Sequence, residues 1–176
     1  NGSIAGAASV GIYNDLTLMG EGNKILSGNT TINGTLTTNP DLFLNPSGYT
    51  LSYGPKGGVK FIDAEYVITD DFLLPAINGP EHLTIENTNV YLHESRSFSE
   101  GISLQGAILN LSDGVVLTLG PDALIEGDFS ESNYIQLDEA SSVRKVFDKP
   151  GSFYFPIGTG NLSTPEFTPA DVSVYT

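Results

Sequence analysis

Along most of the chain apolar and polar residues alternate one for one, and a glycine, asparagine or proline interrupts the alternation every six to ten positions. Successive side chains of an extended strand point to opposite faces, so a period of two with frequent breaks makes many short strands with one buried face each. Few windows hold the i, i+3, i+4 apolar spacing of a helix without Gly, Pro or Asn inside them. An all-β fold is therefore expected. Strands are predicted over 9–13, 16–19, 30–37, 42–44, 49–53, 59–62, 66–68, 83–85, 89–93, 102–104, 107–111, 115–119, 123–126, 134–137, 143–147, 153–156 and 172–175.

A weak internal repeat selects among all-β architectures. Residues 30–37 (TTINGTLT) can be laid over 102–109 (ISLQGAIL), and the same offset carries Gly48 onto Gly120. Residues 104–127 read LQGAILNLSDGVVLTLGPDALIEG, aliphatic at alternate positions with a glycine corner after each run. A coil of a parallel β-helix cannot bury its inward side chains alone, so inward aliphatics and small corner residues recur as coils stack. A parallel β-helix is expected over residues 1–127. Composition shifts near residue 128, and residues 128–176 are read as a C-terminal β cap or the start of a following β-sandwich. An antiparallel β-sandwich, which also alternates and turns at Gly and Asn, is the alternative.

The chain carries 21 acidic and 7 basic residues, a net charge of −14, and its cations are scattered. Phosphate neutralisation needs a clustered basic face, so neither nucleic acid nor an anionic membrane surface is an expected partner. There is no cysteine, which excludes disulfides, thiolate zinc sites and cysteine nucleophiles together. No apolar run is long enough for a membrane-spanning helix. The start, Asn1-Gly2-Ser3, lacks an initiator Met and a signal peptide, and the end falls inside an alternating pattern. The chain therefore reads as a mature or excised piece of a parent that continues.

Residues 134–158, from Tyr134 through Val143-Arg144-Lys145-Val146-Phe147 to the GSFYFPIG segment 151–158, followed by Phe167-Thr168-Pro169, resemble a segment of large Bacteroidota surface proteins. Residues 32–37 (INGTLT), 117–120 (LTLG) and 123–127 (ALIEG) match stretches that precede that segment in such proteins. The acidic residue usual after the Pro-x-Gly turn is replaced here by Thr159-Gly160-Asn161. The resemblance implies a right-handed β-helix-like region of a multidomain protein exported by type IX secretion, at the cell surface or extracellular. It implies no catalytic residues.

Candidate chemistry is sparse. His82 and His93, the only histidines, lack the further ligands a zinc site needs. The carboxylates Asp63 with Glu65, Asp70 with Asp71, Asp113, Asp122, Glu126 with Asp128, and Asp138 with Glu139 could supply an acid/base pair for glycoside hydrolysis. A carbohydrate-active β-helix enzyme is thus the enzymatic alternative, although the few cations before residue 100 are ill suited to handling uronates. Solvated turn carboxylates are the default reading. Closely spaced oxygen ligands suit a hard cation, so calcium is the candidate cofactor and Asp70 with Asp71 the candidate metal site. Tyr49, Tyr53, Tyr66, Tyr91, Tyr134 and Tyr154 are candidate stacking surfaces for glycans. Asn29, Asn33, Asn110 and Asn161 head glycosylation sequons. Thr30, Thr35, Thr37 and Thr38 raise an ice-binding plane, but the regular spacing is missing in the second half. The expected function is a non-enzymatic structural or adhesive module (stalk, filament unit or adhesin segment) whose partners are other protein subunits or surface glycans. A calcium-dependent glycan-binding module is the further alternative.

Overall fold

The structure is a computed structural model that describes residues 2–4, 10–20, 22–39, 42–45, 47–63, 66–161 and 163–175. These residues form strands, numbered β1 to β23 in chain order, and no helix. Nearly all of the pairing is parallel, and the strands stack as a β-solenoid of about six turns.

Each turn but the fourth draws one strand from each of three faces. Face two is one unbroken sheet of β3 (Leu16–Leu18), β6 (Thr35–Thr38), β9 (Gly58–Ile62), β11 (His82–Glu86), β14 (Gly101–Gln105) and β17 (Leu124–Glu126). Face one is split: β2 (Val10–Tyr13), β5 (Asn29–Ile32) and β8 (Leu51–Tyr53) form one sheet, and β13 (Arg96–Phe98), β16 (Val116–Leu119) and β19 (Ser142–Lys145) another. Face three holds β1 (Gly2–Ile4), β4 (Gly22–Leu26) and β7 (Leu42–Asn45), then a second sheet of β10 (Tyr66–Ile68), β12 (Asn89–Leu92), β15 (Ile108–Leu111), β18 (Tyr134–Leu137) and β21 (Ile157–Asn161).

The alternation explains the core. On face two the parallel register stacks Leu16, Leu36, Val59, Leu83, Ile102 and Ile125 in one inward column, and Leu18, Thr38, Phe61, Ile85 and Leu104 in the next. Leu36, Phe61, Leu83, Ile85, Ile102 and Leu104 are fully buried. Burial of such a side chain contributes about 1.5–3 kcal/mol, so a column that no single turn could shield becomes the main source of stability. The intervening residues Thr17, Thr37, Lys60, Thr84, Ser103 and Glu126 form an outward column on the same face.

The turns are unequal in length. Along face two, from Leu16 to Leu36, Val59, Leu83, Ile102 and Ile125, the steps are 20, 23, 24, 19 and 23 residues. The offset that lays residues 30–37 over 102–109 therefore joins strands of different faces: β5 belongs to face one, β14 to face two. What holds the register is the corner. Between faces two and three, Asp63, Asn87 and Gly106 occupy the left-handed region, with φ of 50°, 51° and 62°. Only Gly, Asn and Asp enter that region at low cost. Asn87 Nδ2 donates to Asp63 Oδ1 at 3.3 Å, and the backbone N–H groups of Asp63 and Asn87 donate to the carbonyls of Glu86 and Gln105 in the next turn.

The solenoid does not stop at residue 127. Residues after 127 lengthen one corner, so that Ile108 stands beside Tyr134, and the chain then re-enters the stack through β18, β19 and β21. Apart from a single Ser130–Asn133 bridge in that corner, antiparallel pairing begins where β21 meets β22 (Thr164–Phe167) and β20 (Gly151–Phe155) meets β23 (Ala170–Val174). The change of composition near 128 thus precedes the change of pairing. Phe153 of β20 is buried against the core, and Lys145 Nζ lies 5.1 Å from its ring centroid while donating to the carbonyls of Gly120, Pro121 and Ala123. Gly158 allows the other close approach: a Cβ there would strike the ring of Tyr134, which lies across it toward Phe167 with centroids 5.8 Å apart.

Candidate functional site

Two features interrupt the regular stack, and both shape surface depressions. The first is the segment 70–81, which takes the place of a face-one strand in the fourth turn. Asn78 O accepts from Tyr53 N at 2.7 Å, and Glu81 N donates to Gly57 O at 2.7 Å, so the segment is tied to the turn below at both ends. Asp70 Oδ1 accepts from the backbone N–H of Phe72 (3.1 Å) and Leu73 (2.8 Å), which tightens the turn that sends Leu74 into the core. The Tyr53 hydroxyl donates to Leu73 O at 3.0 Å. Burial, with a smaller contribution from the Asp70 carboxylate, pushes its ionisation well above the ordinary phenol range.

Arg96 closes this region. The register of β13 with β16 sets Arg96 beside Leu117 in an inward column, where a charge is costly unless it is paired and hydrogen-bonded. Its side chain is 7% exposed. Nε donates to Leu74 O at 2.5 Å, Nη1 to Ser95 O at 2.8 Å, and Nη2 to Asp71 Oδ1 in an ion pair. The two carboxylates read as a calcium pair are thus engaged separately, Asp70 in capping a turn and Asp71 in neutralising a buried guanidinium. A calcium ion there would have to gather about six to eight oxygens around the remaining Oδ2 atoms. Among the described residues no group of three His, Asp or Glu is arranged to hold a metal. Between the segment and β13 lies a cavity of about 360 Å³, whose lining includes Leu74, Pro80, Arg96, Ser97, Ser99 and Thr118.

The second feature is the long corner 127–133. Asn133, buried, fixes its base: Oδ1 accepts from Ala107 N at 3.1 Å, and Nδ2 donates to Leu104 O at 3.1 Å and Asp128 O at 3.0 Å. The corner rises between two open depressions. One, of about 600 Å³, is lined by Glu86, Asn87, Gln105, Asp128 and Ser132 among others. The other, of about 980 Å³, is bounded by Asn89, Ile108, Phe129, Glu131, Pro165 and Phe167 among others.

The remaining sequence candidates are placed as follows. Tyr66 and Tyr91 meet edge-to-face on face three at 6.2 Å, and Tyr154 packs on Phe129 at 5.8 Å. Tyr53 and Tyr134 are buried, because their positions point inward or beneath the C-terminal hairpin, so the six tyrosines form no single platform. His82 and His93 stand at opposite ends of consecutive strands on different faces; His93 Nδ1 pairs with Ser112 Oγ at 2.8 Å. His82 is half-buried, and desolvation holds its pKa below the ordinary value against the opposing pull of Glu126 and Glu100. Asp113 Oδ1 accepts from Ala140 N, Asp138 Oδ1 from Glu139 N, and Asp122 lies 3.9 Å from Lys149. Glu65 lies outside the described residues. Thr30 and Thr38 are buried while Thr35 and Thr37 face outward, so the four do not share a plane. Of the sequons, Asn110 is buried, with Nδ2 near Val90 O and Ile108 O, whereas Asn29 and Asn33 are exposed.

Sequence reasoning passed over Arg96, Asn133 and Lys145. The only available signal was periodicity: in Arg96-Ser97-Phe98 an arginine holds an inward position, a cost that a chain bears only with partners at hand. Among the described residues no helix is long and apolar enough to cross a membrane. No family model, no curated protein and no solved structure matches this chain.

Proposed function

We propose that this chain is a non-enzymatic structural and adhesive module of a bacterial extracellular surface protein, a stalk or adhesin segment that presents a glycan-binding surface on a rigid stack. The carrying observation is the pair of open depressions beside the 127–133 corner, the larger lined by Phe129 and Phe167 together with Asn89, Ser130 and Glu131, the smaller by amide, hydroxyl and carboxylate groups. Aromatic faces next to hydroxyl-bonding groups are what a sugar ring requires, with its apolar C–H face and polar rim. The bacterial surface setting rests on the resemblance of the GSFYFPIG segment.

The test is binding of the purified chain to an array of neutral and acidic glycans, with and without a calcium chelator, alongside assays for depolymerisation. Retention on neutral glycans, unchanged by chelation and without turnover, is expected. Release of reducing ends or unsaturated products would replace the adhesive reading with the enzymatic one. Binding that vanishes on chelation would replace it with the calcium-dependent one.

A further inference from the structure

The cavity under the 70–81 segment and the depression beside the 127–133 corner lie at the two ends of one strand. Ser99 and Gly120, which line the first, flank the start of β14 at the corner between faces one and two. Leu104 and Gln105, which line the second, are its last residues. Between the ends β14 turns Gly101 and Ser103 outward, both buried, and Ser103 Oγ accepts from Gln105 Nε2 at 3.3 Å; His82 and Thr84 stand beside them on β11 and Leu124 and Glu126 on β17, so the small residues of β14 lie between larger neighbours. The strand spans five residues, about 16 Å at ~3.3 Å per residue, a length on the order of three to four hexose rings.

From this we propose that a linear neutral glycan lies along β14 across the outer side of face two, one end in the cavity beneath the 70–81 segment and the other beside the 127–133 corner. The inference rests on the glycan-adhesive reading and specifies its ligand class, length and path.

Charge selects the ligand. Glu81, Glu86 and Asp128 line the two ends, and Glu126 is exposed on the neighbouring strand. Of the nearby cations, Lys60 is ion-paired with Glu86 and Arg96 with Asp71, while Lys145 Nζ is turned onto the carbonyls of Gly120, Pro121 and Ala123. Uronate or sulfated chains are repelled by this surface, whereas the hydroxyls of a neutral chain can donate to its carboxylates. Acceptors on the glycan also find donors. Nη1 and Nη2 of Arg96 each make one hydrogen bond and carry a second N–H, and Arg96 borders the cavity together with the hydroxyls of Ser97 and Thr118.

Calorimetric titration with cello-, manno- and xylo-oligosaccharide series, from disaccharide to hexasaccharide, tests the path. Wild type is compared with Ser97→Phe and Ser132→Phe, which fill opposite ends from exposed positions, and thermal melting verifies that both variants fold. In at least one series affinity is expected to climb to the tetrasaccharide and then level off. Each variant is expected to lose about tenfold on the tetrasaccharide, and the bound tetrasaccharide to shift the amide resonances of Gly101 and Ser103. Affinity that is flat from the disaccharide upward, or variants that bind like wild type while array binding persists, overturns the path and leaves the adhesive reading standing. Absence of binding to every neutral glycan overturns both. Preferential binding of oligogalacturonate or of a cationic peptide overturns the ligand class.

Discussion

Faces one and two are built from the same kind of short alternating strand, yet only face two runs unbroken. Its six strands share inward columns of Leu, Ile, Val and Phe, interrupted in the second column by the buried Thr38, so the turns are held mainly by apolar contact. Face one loses a strand in the fourth turn and repairs the gap with directional groups: Asp70 on two amides, Tyr53 on Leu73 O, and Arg96 on Leu74 O and Asp71. Apolar stacking tolerates changes in turn length because it asks only for area, whereas the repair depends on particular atoms meeting.

That contrast can be broken at several points. The largest effect is expected in the continuous face: Phe61→Ala opens a cavity between Thr38 and Ile85 and should cost about 3–5 kcal/mol, read as a lowered denaturant midpoint with one cooperative transition. A smaller midpoint shift than Arg96→Ala would reverse the assigned order of the two faces. Arg96→Ala should cost about 2–3 kcal/mol, the penalty for leaving the buried Leu74 carbonyl and its neighbours unmatched, with hydrogen exchange rising first in residues 70–80. Asn87→Ala, which forces alanine into the left-handed corner, should cost about 1–2 kcal/mol, and Asn87→Gly should restore most of it. Asp71→Asn should cost less than about 1 kcal/mol, because the Asp71 side chain is largely exposed, and the loss should shrink further in salt.

A pH series sharpens the comparison on face two. The pKa of His82 is lower in the fold than in the unfolded chain, so it is neutral in both states above the ordinary histidine value of about 6.5 and contributes no pH dependence there. As pH falls below that value the unfolded chain takes up the proton first, and stability declines until the folded pKa is passed. His82→Asn should flatten that acidic limb of the melting-temperature profile; an unchanged limb would assign it elsewhere.

Much of the fold was legible in the sequence, because strand periodicity is a local property. The expected strand over 134–137 coincides with β18, and that over 66–68 with β10. Where alternation ran through a corner the reading merged two elements: 30–37 covers both β5 and β6, since Asn33-Gly34 interrupts the strand without disturbing the pattern. β13 was missed because three residues headed by arginine carry too little apolar signal, β21 because two glycines dilute it, and β22 because proline argues against a strand. The candidate site was less legible. Asp71 was visible as a carboxylate in a turn, but its partner Arg96 lies 25 residues away and meets it only because a strand is missing from the fourth turn. Pairing across turns of 19 to 24 residues leaves no fixed spacing to read.

Those unequal turns also separate contour from reach. Adjacent strands lie about 4.8 Å apart whatever the chain does at the corners, so six stacked strands on face two advance about 24 Å along the axis. Residues added at a corner, as at 127–133, extend the turn sideways and leave that advance untouched. In a protein of this kind the number of turns acts as a ruler, and insertions can decorate its edge without altering the distance it measures.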